Sequence, residues 1–90
     1  MAVRFELDRT PLSARLTDEI LVVGRLVFGN LDETDVLWRL LNMPDLSVFS
    51  ARLGYELVGF KIGYAVTSKR YYSWLGGVIP AHRRLGIVLC

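Results

Sequence analysis

Pro44 divides this chain into two kinds of sequence. Before it, apolar residues recur at spacings of three and four. After it, apolar and aromatic residues fall into short runs rich in β-branched side chains. A helix brings every third or fourth residue to one face and a strand brings every second. The change of period therefore separates a helical part from an extended part, and proline itself stops the helical pattern from running on.

On the helical side, Leu12, Leu16, Ile20, Val23 and Val27 form one apolar stripe. Thr10 and Pro11 mark the start of this helix, with Thr10 or Ser13 as its cap, and Gly29-Asn30 closes it. Asp32 is a suitable cap for a second helix, whose buried side is expected at Val36, Leu37, Leu40 and Leu41. Ahead of both, VRFELD alternates Val3, Phe5 and Leu7 with Arg4, Glu6 and Asp8, the period-two pattern of a half-buried strand.

On the extended side, LSVFSARL, YELVGFKIGYAV and YYSWLGGVI read as strands. The breaks at Leu53-Gly54-Tyr55 and at Thr67-Ser68-Lys69-Arg70 are short enough for hairpins. The predicted order is strand, helix, helix and three antiparallel strands, then a further helix beginning at His82 or Arg83. This is a mixed α+β pattern, read as a single domain over residues 1–90.

Composition narrows the function classes. The chain has 90 residues, of which 52% are hydrophobic, and its mean hydropathy is +0.35. That composition excludes disorder. The apolar runs are much shorter than the ~18 residues of a membrane span, so no membrane crossing is expected. The net charge of +2 is spread along the chain, with basic pairs only at Lys69-Arg70 and Arg83-Arg84, which argues against a nucleic-acid interface. MAVRFELDRT lacks the apolar core of a signal peptide, and the lone Cys90 builds no internal disulfide, so a cytoplasmic setting is the expectation. Asp32, Glu33 and Asp35 sit at a helix start, where capping explains them better than metal binding, and no metal cluster is visible.

The most specific stretch is WLGGVIPAHRRLGI. Pro80 ends a strand, and the residues after it open a helix whose first turn carries Arg83 and Arg84 and no acidic side chain. Such a turn presents unpaired N–H groups and a partial positive charge, a setting that attracts phosphate. Gly86, and Gly76 and Gly77 in the preceding strand, allow a ligand to approach the backbone closely. A solvated turn is the ordinary alternative for a short glycine motif.

The run Val78-Ile79-Pro80-Ala81-His82-Arg83-Arg84-Leu85-Gly86-Ile87-Val88 resembles the signature of the GNAT superfamily of acyl-CoA-dependent N-acetyltransferases. The preceding order of elements is similar to that family's N-terminal half, and LVGFKIGY looks like its third strand. The resemblance implies an enzyme that moves an acetyl group from acetyl-CoA to a small-molecule or peptide amine. It implies that Gly76, Gly77 and Val78 run along the pantetheine arm, and that Arg83, Arg84, Leu85, Gly86, Ile87 and Val88 hold the pyrophosphate. Val88 stands where the family has Gly or Ala, and its branched side chain is expected to crowd the phosphate. The catalytic base and acid are not identified by the resemblance, because Trp74, Leu75, Gly76 and Gly77 occupy the strand positions where a carboxylate would be sought.

By the same resemblance the chain corresponds to the part of the fold that ends with the pyrophosphate loop. The 90-residue chain is therefore expected to be inactive alone and to self-associate or need a complementing C-terminal segment. A non-catalytic α+β interaction module is the alternative. Tyr64, Tyr71, Tyr72 and Trp74 could line an acceptor pocket or simply pack within strands. His82 reads as a turn residue and Cys90 as an inert thiol.

Overall fold

The structure, a computed structural model, describes residues 3–81. In chain order these form β1 (Val3–Arg9), α1 (Ala14–Phe28), α2 (Glu33–Asn42), β2 (Ser47–Leu53), β3 (Glu56–Thr67) and β4 (Arg70–Val78). They make a small α+β domain with the element order expected from the sequence. The helix expected from His82 or Arg83 lies outside the described residues.

Local chemistry sets the helix limits. Ser13, not Thr10, caps α1: its Oγ accepts the Leu16 N–H at 3.1 Å. Thr10 instead prolongs the strand pairing, donating its N–H to Leu46 O at 3.2 Å. Gly29 ends α1 at φ 72°, a left-handed conformation that costs glycine little, and donates to Arg25 O at 2.8 Å. Asp32 caps α2 through the Asp35 N–H at 3.1 Å.

The four strands are antiparallel in the order β1-β2-β3-β4. Gly54, at φ 65°, lies in the turn between β2 and β3. Both helices lie on one face of the sheet. There Leu16, Ile20 and Val23 of α1 and Val36 and Leu40 of α2 meet Val48, Phe60, Ile62 and Tyr64 from the strands. Phe60, Ile20 and Ile62 are fully buried, and each such side chain contributes about 1.5–3 kcal/mol.

Two expectations about burial change. Leu37 and Leu41 do not join the core: they are 38% and 71% exposed, because only Val36 and Leu40 of α2 point at the sheet. In β1 the alternation is real, but Phe5 and Leu7 lie on the face away from the helices and are 55% and 46% exposed. The register explains this. Glu6 pairs with Ser50 and Asp8 with Val48, so the polar set of β1 shares the helix side. α1 packs chiefly over β3 and β4, so the β1 edge is only thinly covered on that side.

The helix side of β1 is held by charge. Arg52 bonds Glu19 of α1 through Nη1 at 2.8 Å and Nη2 at 2.9 Å, and its Nε lies 2.9 Å from Glu6. The Glu19 carboxyl is lowered, chiefly by the hydrogen bond from Arg52, and Arg52 is raised by the same bond.

Candidate functional site

β4 is an edge of the sheet, so one side of its backbone pairs with β3 and the other has no neighbouring strand among the described residues. A groove of about 350 Å³ runs along Ser73–Val78 and is completed by Lys61 of β3. The structure thus brings Gly76, Gly77 and Val78, three of the residues singled out in the sequence, to one groove on the outermost strand of the described sheet. Arg83, Arg84, Leu85, Gly86, Ile87 and Val88, together with His82 and Cys90, lie outside the described residues.

The two glycines have packing reasons of their own. A Cβ on Gly77 would come within 2.5 Å of Val27 Cγ1, so its absence lets α1 lie close to β4. A Cβ on Gly76 would meet Phe60 O at 2.9 Å and Lys61 Cα at 3.2 Å, so β3 itself demands a bare position there. Access for a ligand is a second use of these positions and not the only one.

Lys61 escaped the sequence reading. Its signal was present: a lone cation inside the otherwise apolar run LVGFKIGY of a central strand. Lys61 pairs with Phe49 on one side and Gly76 on the other, and it is the one charged residue lining the groove among those described. Its ammonium can serve an anionic ligand lying along β4. No carboxylate lines the groove among the described residues, so a general base is not found there.

The four aromatic residues considered for an acceptor pocket divide between the faces. β4 contains a register shift: Ile62 pairs with Leu75 but Gly63 pairs with Ser73, so Trp74 is an additional residue. Tyr72, paired with Tyr64, and Trp74, two residues on, share the helix side, with ring centroids 5.4 Å apart for Tyr64 and Tyr72 and 6.2 Å for Tyr64 and Trp74, and the shift places Leu75 on that side as well. Arg39 of α2 closes this cluster, donating Nη1 to Tyr64 Oη at 2.9 Å and lying 5.2 Å from the Trp74 ring centre. Tyr71 lies on the other face, crosses over Gly63 and hydrogen-bonds Ser47 through its hydroxyl. One pocket lined by all four does not form.

Among the described residues, no three His, Cys, Asp or Glu side chains come together as a metal site, and no helix is long and apolar enough to cross a membrane. Compared with known proteins, the chain matches no family model, no curated protein and no solved structure.

Proposed function

We propose that the chain carries the cofactor-binding half of an acyl-CoA-dependent N-acetyltransferase of GNAT type, using acetyl-CoA and an amine acceptor. The observation that carries this reading is that the strand leading into the Pro80 motif is the outermost strand of the described sheet and lines a groove along Ser73–Val78. An extended arm with amide groups can pair with such an edge as a further strand would. The groove runs along the Ser73–Val78 backbone and has the Lys61 cation at its side, which supports this reading.

Within this reading Gly76, Gly77 and Val78 lie along the pantetheine arm. Arg83 to Val88 would supply N–H groups and positive charge to the pyrophosphate, as helix starts do for other phosphates. Acetyl-CoA would supply the acetyl group, and this part of the chain would bind and orient it.

Amide chemical shifts of the labelled chain, followed during titration with acetyl-CoA, test the reading. The expected shifts centre on Ser73–Val78 and Lys61. Unchanged β4 amides at millimolar acetyl-CoA would remove the basis for it.

A further inference from the structure

The helices cover one face of the sheet. On the other face the register sets Leu7, Phe49 and Lys61 side by side across β1, β2 and β3. The neighbouring row on that face is Ser47, Gly63 and Ser73, across β2, β3 and β4. Leu7 and Phe49 are exposed there, although a sheet face that meets water is ordinarily polar.

Tyr71 gives this face a wall. Its ring lies across the bare Gly63, where a Cβ would come within 2.8 Å of Tyr71 Cζ, and its hydroxyl bonds Ser47 of β2. The ring is thus held in place before any ligand arrives, which lowers the cost of binding against it. Tyr71, Phe49, Gly63, Lys61 and Ser73 together line a hollow of about 230 Å³.

Lys61 gives the hollow its charge. It is half-buried on a central strand, and no Asp or Glu among the described residues lines the hollow or forms an ion pair with it. An ammonium whose stem runs between apolar groups, with no opposite charge beside it, favours an anion.

We propose that this hollow binds a small aromatic carboxylate, its ring between Phe49 and Tyr71 and its carboxylate on the Lys61 ammonium, with the Ser73 hydroxyl as a further donor. Pockets for drug-sized ligands span about 300–1,000 Å³, so this smaller one suits a single ring and not a nucleotide. The two aromatic side chains offer offset or edge contacts to the ligand's ring. The charge-assisted hydrogen bond from Lys61 selects the anion over a neutral analogue. Phe49, Gly63 and Tyr71 do not line the groove along β4, which shares only Lys61 and Ser73 with this hollow. The proposal therefore does not depend on acetyl-CoA.

Amide chemical shifts of the full 90-residue chain, followed during titration with phenylacetate and without acetyl-CoA, test the proposal. Saturable shifts are expected at Phe49, Lys61, Gly63, Tyr71 and Ser73. 2-Phenylethanol keeps the ring without the charge and acetate keeps the charge without the ring; each should bind about tenfold more weakly. Lys61→Met should reduce phenylacetate affinity to that of 2-phenylethanol, Lys61→Arg should retain it, and Phe49→Ala should weaken it by about tenfold. Phe5→Ala, on the same face outside the hollow, should leave it unchanged. Far-UV circular dichroism and the thermal midpoint show whether each variant is folded, and the comparison of the three ligands on the native chain needs no variant. Absence of saturable shifts up to about 10 mM phenylacetate, a concentration that would reveal even millimolar binding, would overturn the proposal. So would equal binding of 2-phenylethanol, shifts confined to Leu75–Val78, full affinity in folded Lys61→Met, or loss of binding in folded Phe5→Ala.

Discussion

Arg52 of β2 grips the Glu19 carboxylate of α1 with two parallel hydrogen bonds, at 2.8 and 2.9 Å. The pair is largely screened from water, with side-chain exposures of 12% and 21%. It joins residues on two elements that have no signal in common along the sequence. Because Glu6 also reaches Arg52 at 2.9 Å, one guanidinium ties β1, β2 and α1 together.

This geometry sets an acid limit. The folded Glu19 carboxyl titrates below its ordinary value of 4.5, with the Arg52 hydrogen bond as the leading cause. A lowered folded pKa means that the unfolded chain binds the proton more readily. The pair's contribution is complete above the unfolded pKa and is lost as pH falls through the folded one. Glu19→Gln should cost about 1–2 kcal/mol at neutral pH, between exposed and fully buried ion pairs. The loss should shrink below about pH 4. Urea unfolding at pH 7 and pH 3 measures both values, and an equal loss at the two pH values would contradict the assignment.

Ser50 provides an opposite case. It is fully buried between paired strands, and its Oγ has no hydrogen-bond partner among the described residues. A buried hydroxyl without a partner gives up its hydration for nothing. Ser50→Ala is therefore expected to raise stability by about 1 kcal/mol. A destabilised variant in chemical unfolding would mean that the hydroxyl is satisfied after all.

Gly63 and Gly29 should separate steric from conformational demand. A Cβ on Gly63 would lie 2.8 Å from Tyr71 Cζ and 2.9 Å from the Tyr72 carbonyl, whereas at Gly29 nothing lies within 4 Å but φ is +72°. Gly29→Ala should cost about 1 kcal/mol through backbone strain alone. Gly63→Ala should cost about 2–3 kcal/mol and displace Tyr71 from Ser47. Thermal unfolding gives the ranking. The Tyr71 ring resonances report the displacement, and equal costs would refute the distinction.

Acetyl-CoA binding should respond to the loop as the resemblance implies. Gly86→Leu should weaken it by about tenfold, equivalent to about 1.4 kcal/mol. Val88→Ala should tighten it by relieving crowding at the phosphate. Calorimetry on folded variants checks both signs. Unchanged affinity in Gly86→Leu would exclude the loop from the site.

The order of elements was readable because each boundary has a local cause. Ser13 and Asp32 cap, Gly29 and Pro44 terminate, and the hairpins are short. What the sequence withheld depended on partners distant in the chain. Leu37 and Leu41 extend the apolar stripe of α2, but the sheet reaches only Val36 and Leu40. Phe5 and Leu7 alternate correctly, yet alternation does not say which face the helices will cover. Of the candidate site, Gly76, Gly77 and Val78 were found from a motif. Lys61 was passed over because one cation in a central strand carries no motif. Alternation already separates Tyr71 from Tyr72 and Trp74, whereas the placing of Leu75 on the same face as Trp74 rests on a register shift that no period could reveal.

That shift also makes β4 two segments with separate phase. From Leu75 onward the side chains keep step with Phe60 and Ile62, and before Ser73 they keep step with Tyr64 and Ala65. Deleting Trp74 would merge the two into one uninterrupted alternation without transferring either half to the other face. Conversely, a length change elsewhere in the strand would have no such slack to absorb it and would turn one half over. The groove end and the tyrosine end of the same strand are thus free to diverge independently, with a single tryptophan as the joint between them.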